Sequence, residues 1–466
     1  MTFADFILAH SADDPAALAL SRGRCSAFPE FSLALSTLEA RRKLRGKVPQ
    51  WLEHPSLRFP LPLSAEQCSS TETALYKAHI LASLFREERC YLKPSLRDPS
   101  QKRPLPLCIS PCSPPRGHIA LRAAAEGGHG FQIAPLFPAG INLADLTGGL
   151  GVDAWAFATA GATVLYNDMK PELEEAARHN FAELGVDVEC RCEELKQGAV
   201  SAILDGFKPD AFFLDPARRS ATGGKVFRIS DCSPDVTALL PELFAAARYV
   251  LVKLSPMLDI TLGARELGPC VREVHVVGSG GECKEILFLL DSDHSGDYTV
   301  TVYDSGHTLS FTPSEEHSAI PLLTQPSEAR GETYLFEPGK ALLKAGCFKL
   351  LSQRYGIQKA GVNTHLYFSD THLENLSPFG KWFRILETAP LDKRSIKSFG
   401  ERYPGADVTA RDVHMTSEEL LKRLRSSKSA STGISAPADT HSSTDSPVHI
   451  FALSTPTGNL LLACTK

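Results

Sequence analysis

At 466 residues the chain is too long for one hydrophobic core, so about two to four domains are expected. Hydrophobic residues at 43% and charged residues at 22% describe an ordinary globular composition. The formal net charge of −5, from 49 basic and 54 acidic residues, excludes a uniformly basic nucleic-acid binder; a polyanion would have to meet a local patch.

The opening stretch MTFADFILAHSADD has no basic region before its apolar residues and turns acidic, unlike a signal peptide. No run approaches the ~20 apolar residues of a membrane span, so a cytoplasmic protein with no membrane partner is expected. The twelve cysteines form no CxxC pair. The close pairs Cys108/Cys112 and Cys190/Cys192 lack a second pair at zinc spacing, so free thiols and no metal are expected.

Residues 1–130 read as an N-terminal helical domain. FSLALSTLEARRKLRGKVPQWL has helical spacing, and SAEQCSSTETALYKAHILASLFREER reads as one long amphipathic helix capped by Ser64 with Gln67. The proline-rich stretch Lys93–Gly117 is expected to be an extended connector.

Residues 131–292 alternate short apolar runs with helical stretches, the pattern of βαβ units. INLADL, TVLYND, VDVECRC, DAFFLD, YVLVKL, REVHVV and EILFLLD are the expected strands. Between them lie VDAWAFATA, ended by Gly161, and PELEEAARHNFAEL, opened by Pro171 and closed by Gly185. Only GSGGECK joins the last two strands, so they must be antiparallel.

From 293 a smaller α+β region follows, in two parts, 293–390 and 391–466. YTVTVYDSG and HTLSFTP alternate as a hairpin, and GKALLKAGCFKLLSQRYG is expected to be a helix. VHIFALSTPTGNLLLACTK forms a hairpin with strands 448–454 and 459–464. The Ser/Thr-rich stretch 425–447 has little to bury and is expected to be a disordered loop.

The stretch DLTGGLGVDAWAFATAGATVLYND carries the first chemistry. Gly148, Gly149 and Gly151, beside Thr147, remove the Cβ atoms that would keep a nucleoside away from the backbone after the first strand. Asp168 ends the second strand 23 residues after Asp145, near the ~20-residue spacing at which an acid reaches ribose hydroxyls. Glycine turns serve dinucleotides and S-adenosylmethionine alike, and some bind nothing. Asp145 would repel a pyrophosphate and attract the methionyl ammonium of S-adenosyl-L-methionine, so the methyl donor is the expected cofactor.

The antiparallel last strand agrees, and the region resembles class I S-adenosylmethionine-dependent methyltransferases, in which strand seven inserts between strands five and six. The resemblance implies an α/β, Rossmann-like seven-stranded sheet. It places Asp145, Thr147, Gly148, Gly149 and Gly151 on the methionine and ribose side, Asp168 on the ribose hydroxyls and Met169 against adenine. Glu193, after the third strand, would meet the adenine amino group.

FFLDPARRS ends the fourth strand and resembles the [DN]PP[YF] motif of nitrogen methyltransferases. There the acid and nearby carbonyls orient the target nitrogen, and proline stiffens the turn. Asp215 and Pro216 match; Ala217 replaces the second proline and Arg218 the aromatic residue. Guanidinium planes also stack on bases and bind phosphate, so Arg218 is expected in the catalytic corner and Arg219 on the substrate. The bland alternative is a turn carrying a solvated basic corner.

In VLVKLSPM, Lys253 and Ser255 reach the same edge, and Lys253 needs a partner such as Asp215 or Glu282, unless it snorkels to solvent. The GSGGECKE turn adds Glu282 and Lys284.

With DPARR, KLSPM and GGECKEILF in that order, the whole chain resembles bacterial class I methyltransferases that end in ferredoxin-like and THUMP-like domains. The motifs EQCSSTETALYKA, YLFEPGKALLKAGCFK and SIKSFGERYPGADVTARDV carry the rest of the resemblance. It implies an RNA partner, tRNA or rRNA, since THUMP domains deliver tRNA to modifying enzymes. Lys340 and Lys344 share a helical face that could meet it, with Arg394, Lys397, Arg402 and Arg411 further on. The expected activity is methylation of an RNA base nitrogen. A protein or small-molecule acceptor, or an RNA-binding protein that has lost catalysis, remain alternatives.

Overall fold

The computed structural model describes residues 1–20, 28–92, 133–218, 228–323, 333–426 and 448–466. The chain forms two compact units, residues 1–272 with 287–296, and residues 273–286 with 297–466. The proline-rich connector and Arg219 lie outside the described residues, as do positions 427–447 of the Ser/Thr-rich stretch.

The first unit begins with helices α1 (Phe3–Ala9), α2 (Pro15–Leu20), α3 (Phe31–Leu44), α4 (Pro62–Gln67) and α5 (Thr71–Leu92). Here the structure corrects the single helix expected from Ser64. Pro62 starts α4, which stops at Cys68, so Ser64 lies inside it. A new start follows, where Ser70 Oγ accepts from the Thr73 N–H at 3.2 Å and Thr73 Oγ1 accepts from the Ser70 N–H at 3.2 Å.

The α/β part carries β1 (Asn142–Asp145), β2 (Thr163–Asn167), β3 (Val188–Arg191), β4 (Ala211–Leu214) and β5 (Tyr249–Leu254). Parallel pairing runs β3-β2-β1-β4-β5. Between them lie α6 (Val152–Thr159), α7 (Pro171–Glu183), α8 (Val200–Leu204) and α9 (Val236–Ala246), and α10 (Ile260–Leu267) follows β5. Near-continuous burial of Phe212, Phe213, Val250, Leu251 and Val252 is what a parallel sheet covered on both faces requires.

Strands β6 (Val271–Ser279) and β7 (Glu282–Asp291) are joined at Gly280 and Gly281, both at positive φ (61° and 78°). Two left-handed residues make the tight turn of an antiparallel hairpin, which explains the glycine pair. β7 sits between β5 and β6, as expected of the seventh strand. The sheet then exceeds seven strands. β8 (Thr299–Asp304) pairs parallel to β6, and β9 (His307–Phe311) pairs antiparallel to β8. The hairpin expected to open the smaller α+β region thus extends this sheet, in the order β9-β8-β6-β7-β5-β4-β1-β2-β3.

The second unit holds another sheet, of β10 (Tyr334–Pro338), β11 (Gln358–Lys359), β12 (Tyr367–Ser369), β13 (Gly380–Pro390), β14 (Asp407–Arg411), β15 (His449–Thr455) and β16 (Gly458–Thr465). Its order is β11-β12-β10-β13-β16-β15-β14. Phe383, Phe451, Leu462 and Cys464 belong to one apolar core. Ile450, Leu461 and Ala463 belong to another, with α14 (Lys393–Arg402) and α15 (Ser417–Ser426). The two residues 425–426 expected in a loop end α15 instead.

The helix expected over 339–356 is two. α11 (Pro313–Ser318) precedes them, α12 (Lys340–Ala345) stops at Gly346 with φ +80°, and α13 (Lys349–Tyr355) starts afresh. Glu316 of α11 accepts from the Phe348, Lys349 and Leu350 N–H groups at that new start.

Candidate cofactor and acceptor site

The glycine turn is held by contacts that exclude side chains. A Cβ on Gly148 would lie 2.1 Å from the Tyr166 ring, and one on Gly151, itself at φ +82°, 2.6 Å from Phe181. Gly149, at φ +55°, faces open space. The Gly148 N–H donates to Asn167 O, the Gly149 N–H donates to Asp168 Oδ2 at 2.9 Å, and Tyr166 Oη donates to Gly149 O. The turn therefore folds back onto the end of β2. Asp168 also accepts from the Lys170 N–H, while Met169 beside it is 59% exposed and available as an apolar surface.

Asp145 ends β1 with 1% exposure. One carboxylate oxygen accepts from the Thr147 N–H at 3.2 Å, and the other is buried without a partner. Burial, then the charges of Asp153, Asp215 and Asp168, hold its proton affinity well above the usual carboxylate range. A buried carboxylate oxygen without a donor is a cost that a cationic ligand group would relieve. Together with the open face at Gly149, it fits the methionyl ammonium of S-adenosylmethionine.

Glu193 is exposed beyond β3. Its backbone is tied by Asn167, which accepts from the Glu193 N–H and donates to the Glu193 and Leu146 carbonyls. Buried Asn167 thus links the ends of β1, β2 and β3, a role the sequence reading missed. Its one signal was an amide side chain inside an apolar strand.

At the top of β4 and β5, Lys253 Nζ meets Asp215 Oδ2 at 2.5 Å, with side-chain exposures of 12% and 36%. Of the expected partners for Lys253, Asp215 is the observed one. The Asp215 N–H donates to Thr147 Oγ1 at 2.6 Å, joining this corner directly to the glycine turn. After Pro216, residues 217–218 pair antiparallel with 232–233, so the backbone of Arg218 is held in a short ladder. Ser255 accepts from the Met257 N–H and shapes the turn after β5.

Glu282 and Lys284 lie at the start of β7, in the second unit, and both are exposed. Glu282 pairs with Lys340 of α12 at 2.5 Å, which lowers its proton affinity. Lys340 and Lys344 share α12, whereas Lys349 and Arg354 stand on α13. Among the described residues no three His, Cys, Asp or Glu side chains are grouped to hold a metal. Nor is any helix there long and apolar enough to cross a membrane.

Comparison with known proteins adds to this geometry. Residues 334–376 match a ferredoxin-like domain family, and residues 380–452 match a family described as THUMP domain-like. An uncharacterized S-adenosylmethionine-dependent methyltransferase of Mycobacterium tuberculosis H37Rv is 24% identical over 293 residues, 62% of this chain and 74% of that protein. A "putative methyltransferase" of Porphyromonas gingivalis W83 has a crystal structure that is 25% identical. It covers 100% of this chain and 97% of its own, with a TM-score of 0.71.

Proposed function

We propose that this S-adenosylmethionine-dependent methyltransferase, with its ferredoxin-like and THUMP-like C-terminal part, transfers the methyl to a nitrogen of an RNA base. The observation that carries the reading is the strand-four corner. There Asp215 is clamped by Lys253 at 2.5 Å and by Thr147 at 2.6 Å, beside the cofactor turn and still open to solvent.

The cofactor supplies an electrophilic methyl group on its sulfonium. Asp145 would hold the methionyl ammonium, Asp168 the ribose hydroxyls, and Met169 and Glu193 the adenine. Lys253 and Thr147 fix Asp215 so that its second carboxylate oxygen, with the Asp215 and Pro216 carbonyls, can accept from the target N–H. Such acceptors keep the nitrogen lone pair aimed at the methyl. Pro216 stiffens the corner, and Arg218, Arg219 and Ser255 are assigned to the substrate side.

An RNA acceptor is supported by the THUMP-like match and by α14, whose Lys393, Arg394 and Lys397 are exposed opposite buried Ile396 and Phe399. Exposed cations on one helix face suit phosphates. Carboxylates compensate part of the basic charge, as in Lys397–Glu401, Arg402–Glu387, Arg411–Glu337 and Lys340–Glu282. Glu282, Lys284, Lys340 and Lys344 are therefore assigned to peripheral RNA contacts. The test is transfer of labelled methyl from S-adenosylmethionine into fractionated total RNA and total protein. Label in RNA, recovered as an N-methylated nucleoside, is expected; label only in protein or small molecules overturns the reading.

A further inference from the structure

Lys77 of α5 has no exposed surface, yet it carries a charge into the first unit's interior. Its ammonium lies 3.1 Å from Asp153 Oδ1 and donates to Ser69 Oγ at 3.0 Å. Ser69, 4% exposed, donates in turn to Asp153 Oδ2 at 2.8 Å. The ammonium also stands 5.8 Å from the ring centroid of Phe213 in β4. Asp153 is in the first turn of α6, two residues past the last glycine of the turn.

A buried ion pair is seldom retained for stability alone, because apolar residues of equal volume often do as well. This one stands where charge matters. Of the neighbouring acids, Asp153 does most to raise the proton affinity of Asp145, whose second oxygen has no hydrogen-bond partner. The Cys68 thiol, next to Ser69, feels both Asp153 and Lys253. Ser69 thus ties the Cys68–Ser70 turn to the start of α6, directly after the glycine turn.

We propose that Lys77 and Ser69 are positioning residues of the cofactor site: they hold Asp153, and so make the N-terminal helices one wall of the pocket for the cofactor's methionyl end. With Asp153 held by Lys77 and Ser69, the partnerless oxygen of Asp145 is the one left to receive the methionyl ammonium. The assignment rests on the cofactor and is independent of the acceptor proposed above.

The test separates the two halves of the ligand. Calorimetry measures S-adenosylhomocysteine, which has the amino-acid end, and 5′-methylthioadenosine, which lacks it. The variants are Ser69→Ala and the paired Lys77→Met/Asp153→Asn, the second leaving no orphan charge if Lys77→Met alone fails to fold. In both, the S-adenosylhomocysteine affinity should fall about tenfold, as for loss of a hydrogen bond to a charged group, with methylthioadenosine binding unchanged. Equal weakening of both ligands would mean general distortion, and unchanged binding of both would mean simple packing; either overturns the proposal. If the wild-type protein bound methylthioadenosine but not S-adenosylhomocysteine, the cofactor reading itself would fail first.

Discussion

The two ends of the candidate site are built on opposite terms. Around β1 to β3, every backbone group of the glycine turn named above is tied down, while one buried oxygen of Asp145 has no hydrogen-bond partner. At β4 and β5 one carboxylate oxygen of Asp215 is held by Lys253, and the corner stays open. The first end is rigid and electrically incomplete, as suits a ligand of fixed shape and positive charge. The second is fixed on one side and accessible on the other, as suits acceptors that arrive from solvent. Pre-organisation is thus concentrated where the partner never varies.

Substitutions can break this contrast. Asp145→Asn should have the largest effect, abolishing S-adenosylhomocysteine binding by calorimetry. The same change should stabilise the empty protein at neutral pH. Because the folded carboxyl holds its proton more tightly than the unfolded one, its contribution is full below the ordinary carboxylate range and is lost as pH rises through the raised folded value. The gain in melting temperature should therefore grow from pH 4 to pH 8; a loss at pH 8 would mean that the carboxylate has a structural counter-charge.

Next comes Asp215→Ala. A positioned electrostatic group contributes about 10²–10³ in rate, so single-turnover methylation should fall by that factor with cofactor affinity within a few-fold of wild type. A wild-type rate would make the corner a structural turn. Thr147→Val should be intermediate and should touch both ends, costing about 1–3 kcal/mol, seen as roughly tenfold weaker cofactor binding together with slower transfer. If only one measurement moved, the two ends would be independent. Smallest should be Arg394→Ala, lowering RNA affinity a few-fold at low salt and flattening its salt dependence by about one phosphate contact, with cofactor binding untouched.

The cofactor end was readable because its parts are consecutive: Asp145, three glycines and Asp168 fall within one βαβ unit, where spacing stands in for distance. The hairpin of β6 and β7 was readable from the brevity of its link. Lys77 and Ser69 were not, since their partner Asp153 is 76 and 84 residues away and only packing brings them together. The same limit applied to Lys253, whose candidates included both Asp215 and Glu282. Local chemistry also misled where two signals competed. Ser64 looked like a cap until Pro62 placed the helix start ahead of it, and the apolar period across 340–355 hid the stop at Gly346.

The order β11-β12-β10-β13-β16-β15-β14 puts residues 458–465 in the interior of the second sheet. The eleven-residue β13 pairs with β10 over 380–384 and with β16 over 384–390, so one strand serves both the ferredoxin-like and the THUMP-like regions. The strand that joins β13 to β15 comes after both of them in the chain, so this part of the sheet closes only when residues 458–465 dock. Until then Phe383, Phe451 and Leu453 lack Leu462 and Cys464, and β13 offers an open edge to any neighbouring nascent chain. Expression at lower temperature or with chaperones should accordingly raise the yield of folded protein more than any change to the first unit.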